Sequence, residues 1–92
     1  MNDSVFRALA DPTRRKILAL LQQGNLTAGE IAAQFPQAQP TISRHLQVLR
    51  HADLVLDARE GPYIRYRLNT TVLQSWLSWA MDQFGGGVTR DE

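Results

Sequence analysis

Cysteine is absent from this 92-residue chain, which excludes disulfide bridges and thiolate metal sites outright. A surplus of one charge is missing as well. Ten Lys and Arg stand against nine Asp and Glu, a formal net charge of +1, so bulk charge alone does not announce a nucleic-acid partner. No apolar run approaches the length that spans a bilayer. The stretch Met1 to Phe6 has no charged region ahead of an apolar core, the mark of a secretory signal. A cytoplasmic location without direct membrane insertion is the expectation. Internal repeats are lacking, and the one low-complexity stretch is Gly85-Gly86-Gly87. With the residues up to Glu92 it reads as a flexible tail, residues 85–92, after a single domain over residues 1–84.

What is present is the composition of an ordinary globular domain, 43% hydrophobic and 21% charged. A domain this small is only marginally able to stabilise itself, so an interface with a partner chain would help it. Between Pro36 and Leu68 lie five arginines (Arg44, Arg50, Arg59, Arg65, Arg67) against three acids (Asp53, Asp57, Glu60). The planar guanidinium suits phosphates and guanine edges, although a solvated surface can carry the same residues.

Ser4 to Ala10 reads as a short helix with Val5, Phe6 and Leu9 on one side. Asp11-Pro12 opens a second, with Asp11 as N-cap and Pro12 at the first helical position. Ile17, Leu18, Leu20 and Leu21 supply its buried stripe, and Gly24 is expected to close it as a left-handed cap. Thr27-Ala28-Gly29-Glu30 fits a capping box for a third helix over about residues 28–35, ended by Pro36. Pro40 starts a fourth helix running to about Ala52, in which Ile42, Leu46 and Leu49 fall at i, i+4 and i+7. Residues 54–59 and 63–68 are rich in strand formers and flank Glu60-Gly61-Pro62. They predict a hairpin whose second strand is demoted to an edge by Pro62. Asn69 is expected to cap a last helix through about Phe84. The fold class is mainly α with a small β-hairpin, a winged helix-turn-helix of order ααααββα.

The stretch Gln39 to Asp53, QPTISRHLQVLRHAD, carries the functional reading. At about 100° per residue, Ile42, Leu46 and Leu49 share one face. Pro40, Arg44, Gln47 and His51 centre on the opposite one, flanked by Thr41 and Ser43. A DNA-reading helix needs this split: an apolar face to anchor it, and short or amide-bearing polar residues in its first turns to reach base edges. An ordinary surface helix shows the same division, so the preceding capped helix and the following two-stranded wing are what favour DNA.

The blocks FRALADPTRR (residues 6–15), TISRHLQVL (41–49) and REGPYIRYRL (59–68) resemble the signature segments of ArsR/SmtB winged-helix repressors. LNTTVLQ (68–74) is similar to the SdpR-type autorepressor subgroup. The resemblance implies a homodimer that binds double-stranded operator DNA and represses transcription. It places Thr41, Ser43, Arg44 and His45 on the recognition helix, and Arg59 and Gly61 in the wing. The subgroup further implies a membrane-protein partner that sequesters the dimer. The candidate DNA-facing set is Gln39, Pro40, Thr41, Ser43, Arg44, His45, Gln47, Arg59, Gly61 and Arg65. Arg44 is placed either on guanine or on phosphate, and His45 either on DNA or in a structural hydrogen bond.

Many members of that family sense metals through cysteines on the third helix, where this chain has Gly29-Glu30-Ile31-Ala32-Ala33. Others use paired His and acidic ligands on the last helix, where only Asp82 stands. His45 and His51, six positions apart on one helix, point about 120° apart and do not share an ion as an i, i+4 pair would. No metal and no cofactor are expected. The last helix carries Leu73, Trp76, Leu77, Trp79, Ala80 and Phe84, more apolar surface than a small core covers. With Val5, Phe6 and Leu9 it is the expected two-fold interface, the alternative being that both tryptophans cap the monomer core. An enzyme is not expected: there is no Gly-rich phosphate loop, and Ser43, His45 and Asp53 lie on or beside one short helix. A winged-helix protein-interaction module and a ligand-responsive regulator are the remaining alternatives.

Overall fold

Asp11 accepts the Arg14 backbone N–H at 3.1 Å through Oδ2, and Pro12 occupies the first helical position, so the chain turns sharply from one helix into the next. In this computed structural model, which describes residues 3–85, helix α1 spans Asp3–Leu9 and helix α2 spans Pro12–Gln23. The tail beyond Gly85 lies outside the described residues. Ile17, Leu18 and Leu21 form the buried row of α2, while Leu20 sits half-exposed on its flank. Gly24 does close the helix, but in a positive-φ conformation open to glycine (φ 157°, ψ 166°) rather than the left-handed helical cap expected. The chain leaves α2 straight into a strand, which requires extension.

That strand, β1 at Leu26–Thr27, was not anticipated. Two residues carry no alternation to read. The capping box that follows is present: Thr27 N–H donates to Glu30 Oε1 at 2.8 Å and Glu30 N–H to Thr27 Oγ1 at 3.2 Å. Helix α3 covers only Ala28–Ala32. Beyond it Gln34 and Phe35 N–H bond three residues back, to Ile31 and Ala32 carbonyls. Phe35, preceding Pro36, is disfavoured from continuing in α geometry.

Helix α4, Gln39–His51, buries Ile42, Leu46 and Leu49 as the spacing predicted. It ends in a Schellman arrangement: Leu54 N–H reaches Leu49 O and Asp53 N–H reaches Arg50 O, both at 3.0 Å, with Asp53 in the left-handed region at φ 59°. Strands β2 (Val55–Glu60) and β3 (Tyr63–Leu68) pair antiparallel from Val55↔Leu68 to Glu60↔Tyr63. Gly61 at φ 58° and Pro62 make a two-residue turn, the sign pattern of a type II′ hairpin.

The sheet order is β1-β3-β2, so β3 is central rather than an edge. Pro62 sits in the turn, one residue outside the strand, where its missing N–H costs no ladder bond. Leu26↔Tyr66 and Thr27↔Arg65 complete the sheet.

Helix α5, Thr70–Ala80, is followed by one π-helical turn, Met81–Gly85, instead of continuing as α-helix through Phe84. Asn69 makes no side-chain cap. Its N–H donates to Leu54 O at 2.9 Å, tying the exit of β3 to the entry of β2, and its carbonyl receives Leu73 N–H.

The core joins α1, α2, α3, α4 and the start of β2: Val5, Ala8, Ile17, Leu21, Ile31, Ile42, Leu46, Leu49, Leu54 and Val55 are nearly sealed. Each large aliphatic there contributes roughly 1.5–3 kcal/mol by leaving water. Val5 belongs to this monomer core at 3% exposure and has no surface to offer a partner, which removes it from the expected interface set. None of the residues of α5 is fully buried. Val72, Leu73 and Trp76 pack against the core, while Leu77, Met81 and Phe84 face outward at 47%, 59% and 69% exposure. The chain is accordingly elongated, 51 × 24 × 24 Å.

Candidate nucleic-acid interface

Because α4 has one face locked by Ile42, Leu46 and Leu49, its opposite face is fixed in direction. Gln39, Pro40, Ser43, Arg44 and Gln47 are exposed there, and Thr41 is half-buried beside them. Among the described residues, Arg44 makes no hydrogen bond or ion pair and keeps all five donors available. The turn leading into α4 is anchored from below, with Gln37 Nε2 donating to Thr13 Oγ1 at 3.1 Å. The first turn of α4 is thus held against the start of α2.

The wing places Arg59 one pair from the hairpin tip, opposite Ile64 and exposed. Gly61 sits at the tip itself. Strand parity puts Arg59 on the same face as Asp57 and Tyr66, and Asp57 Oδ2 lies 3.8 Å from Arg50 Nε of α4. The Arg59 face is therefore the one turned toward the C-terminal end of α4. Burial pushes the Tyr66 hydroxyl above its usual pKa, and the Asp57 carboxylate adds to that.

Arg65 behaves differently from the expectation. Its Nε lies 2.9 and 3.0 Å from the two Glu60 carboxylate oxygens, and one Nη1 hydrogen reaches Asn25 O at 3.4 Å. Glu30 Oε1 lies 3.9 Å away. Arg65 holds the edges of the sheet together, so its charge is already matched and it leaves the DNA-facing set. The carboxyl of Glu30 is held below its usual pKa chiefly by the Thr27 N–H, with Arg65 assisting.

His45 also turns inward. Its Nδ1 lies 3.2 Å from Arg14 Nη1 and 3.8 Å from Asp11 Oδ2, and its side chain is 18% exposed. An arginine only donates, so Nδ1 is the acceptor and the ring proton resides on Nε2. Of the two roles left open for this residue, the geometry supplies the structural one. Arg14, singled out in the sequence only within the FRALADPTRR block, is the hub of that cluster. Its Nε donates to Ala8 O at 2.8 Å and its Nη2 to Arg7 O at 2.9 Å, both at the end of α1. Burial raises the pKa of Asp11, but the Arg14 N–H, assisted by the Arg14 charge, outweighs it and leaves the carboxyl lowered. No spacing rule reveals this hub, because its partners stand 6, 7 and 31 positions away.

A second feature missed in the sequence is Tyr63, 61% exposed beside the hairpin turn. With Thr27, Gly29, Gln39, Pro62 and Ile64 it lines a cleft of about 310 Å³ between the wing and the first turns of α3 and α4. Phe6 of α1 meets Trp76 and Trp79 edge-on, with ring centroids 5.8 and 5.4 Å apart, and Trp79 meets Phe84 at 6.1 Å. The apolar surface of α1 and α5 is thereby organised into one aromatic patch.

Residues 11–56 match the family model described as bacterial regulatory protein, arsR family. The transcriptional repressor SdpR of Bacillus subtilis is 48% identical over 85 residues, covering 92% of this chain and 94% of that protein. The arsenical resistance operon repressor of Escherichia coli is 38% identical over 80 residues, 86% of this chain and 68% of that protein. Among solved structures, an ArsR family transcriptional regulator superposes with a TM-score of 0.83 at 27% identity, covering 97% of this chain and 92% of its own. A possible transcriptional regulator for arsenical resistance gives 0.75 at 32% identity, covering 98% and 100%.

Proposed function

Because the chain belongs to the arsR family of bacterial regulatory proteins, we propose that it represses transcription as a homodimer with α4 in the major groove and the wing on the DNA backbone. Membership makes it a DNA-binding transcriptional repressor of operator DNA, and not an enzyme. The observation that carries the groove assignment is the free row Gln39, Ser43, Arg44 and Gln47, set on a helix whose other face is immobilised in the core. Arg44 is the best donor in that row for guanine O6 and N7 together.

Arg59 and Gly61 supply the backbone contact from the wing, and Tyr63 and Gln39 line the cleft where the sugar-phosphate strand passes between wing and helix. Two-fold assembly uses the aromatic patch. Phe6, Leu77, Met81 and Phe84 are exposed large apolar groups, and burying such a patch against its own copy removes the exposure that a soluble monomer rarely tolerates. Leu9, Leu73, Trp76, Trp79 and Ala80, half-buried in the single chain, flank it. The proposal extends to operator DNA and a second copy of the chain; a sequestering membrane protein gains no support from the fold or the relatives. No helix among the described residues is long and apolar enough to cross a membrane, and the cytoplasm, where operators lie, is the proposed site of action.

Selection of bound duplexes from a random pool at moderate salt tests this reading. A two-fold motif with half-sites about 10 base pairs apart, or a multiple of that, is expected. Recovery of unenriched sequence, or binding indifferent to salt, would instead indicate a protein-interaction module.

A further inference from the structure

Resting on the reading of α4 as the DNA reader, we propose that Arg14 and His45 are positioning residues that set α4 against α1 and so control operator affinity without touching DNA. Each of the three Arg14 guanidinium nitrogens has a partner. Nε and Nη2 hold the Ala8 and Arg7 carbonyls at the end of α1, and Nη1 is given to His45 on the inner side of α4. These carbonyls are among those a helix end leaves without partners, and a planar fork with fixed directions makes the three contacts rigid relative to one another. The neighbouring Arg15 adds a fourth tie, Nη1 to Leu9 O at 2.7 Å.

The connection runs further. Helix α1 presents Phe6, which stacks edge-on with Trp76 and Trp79 of α5. From the aromatic patch to the reader helix the links are continuous: indoles, Phe6, the end of α1, Arg14, His45. Beside the apolar packing of α1 on α4 in the core, this hydrogen-bonded route reaches α4 at the His45 imidazole nitrogen.

The charged groups facing the ring are Asp11, the N-cap of α2, and Arg14 in its first turn; α1 meets the cluster through main-chain carbonyls. The neutral ring accepts from Arg14. A protonated ring has no acceptor to give. It repels the guanidinium and is drawn to Asp11 Oδ2, 3.8 Å away. Operator affinity should therefore contain a component that depends on an acceptor at this position.

The test measures affinity for the selected operator in the unmutated protein, His45→Ala, His45→Gln and Arg44→Ala at one fixed pH. His45→Ala should lose roughly tenfold or more, as befits a hydrogen bond to a charged group. His45→Gln, whose amide oxygen still accepts from Arg14, should stay within about threefold of the unmutated protein. Thermal midpoints and sedimentation identify a variant that has not folded, and should His45→Ala be one, a loss beyond about threefold in a folded His45→Gln overturns the proposal by itself. Equal loss in His45→Gln and His45→Ala overturns the proposal in favour of a ring contact with DNA. Loss in Arg44→Ala with none in His45→Ala overturns the coupling and spares the reader assignment. No loss in either brings down the reader assignment, and this inference with it.

Discussion

The Arg65 guanidinium bridges both oxygens of Glu60 at 2.9 and 3.0 Å across the hairpin. Their partnership is with the sheet: Arg65 is half-buried and touches Asn25 O as well, so it anchors β3 between its neighbours. Arg59 lies on the opposite face of the same hairpin without a partner among the described residues. Two arginines six positions apart in a basic wing thus have different work, and only one remains available to a phosphate.

Arg59→Ala should weaken specific and random DNA alike and reduce the salt slope by about one unit per subunit. Binding isotherms across a salt series measure both. A changed operator preference at unchanged non-specific affinity would place Arg59 on a base instead.

Arg44→Ala should cost about 1–3 kcal/mol on the preferred operator and flatten preference at one symmetric position of each half-site. Repeating the random-pool selection with the variant reads this directly. Uniform loss across all sequences would assign Arg44 to phosphate.

Dimerisation is best challenged at Leu77, which is 47% exposed, rather than at Trp76, which packs partly on the core. Leu77→Glu should give a folded monomer in sedimentation at micromolar concentration, with operator binding weakened because two half-sites no longer act together. A dimer persisting in Leu77→Glu would remove this face from the interface.

Asp53 holds φ 59° at the end of α4, a conformation that costs an L-residue more than glycine. Asp53→Gly should raise stability by about 0.5–1 kcal/mol and Asp53→Ala should lower it. Denaturant midpoints at constant slope decide the sign. A lower midpoint for the glycine variant would show that the Asp53 side chain contributes more than the strain removes.

Asp11 and Glu30 both have carboxyl pKa values lowered by the fold. A group depressed in the native state contributes stability above its ordinary pKa and loses it as pH falls through the folded value. Thermal stability should therefore decline below about pH 4. Asp11→Asn keeps an N-cap side chain while removing the charge. It should melt lower than the unmutated protein near neutral pH and converge with it in acid. A constant difference across the range would mean that the Asp11 charge is irrelevant.

The sequence by itself determined the elements whose signals are local. The Asp11-Pro12 start of α2, the Thr27 to Glu30 capping box, the apolar row of α4 and the Gly61-Pro62 turn each depend on residues within one or two turns of chain, and the structure has each of them. The split of α4 into a buried and a free face was equally legible, since helical period alone fixes it. Tertiary structure decided what depends on distant partners. Leu26-Thr27 becomes a strand only because β3 offers it a ladder, and that ladder makes β3 central. Val5 leaves the expected interface because the body of the chain closes over it. His45 and Arg65, both plausible DNA contacts by type and position, are claimed by Arg14, 31 positions away, and by a sheet whose order no pattern of alternation encodes. A side chain's chemistry is written locally, whereas its availability is set by whichever donors and acceptors the fold brings within 3 Å.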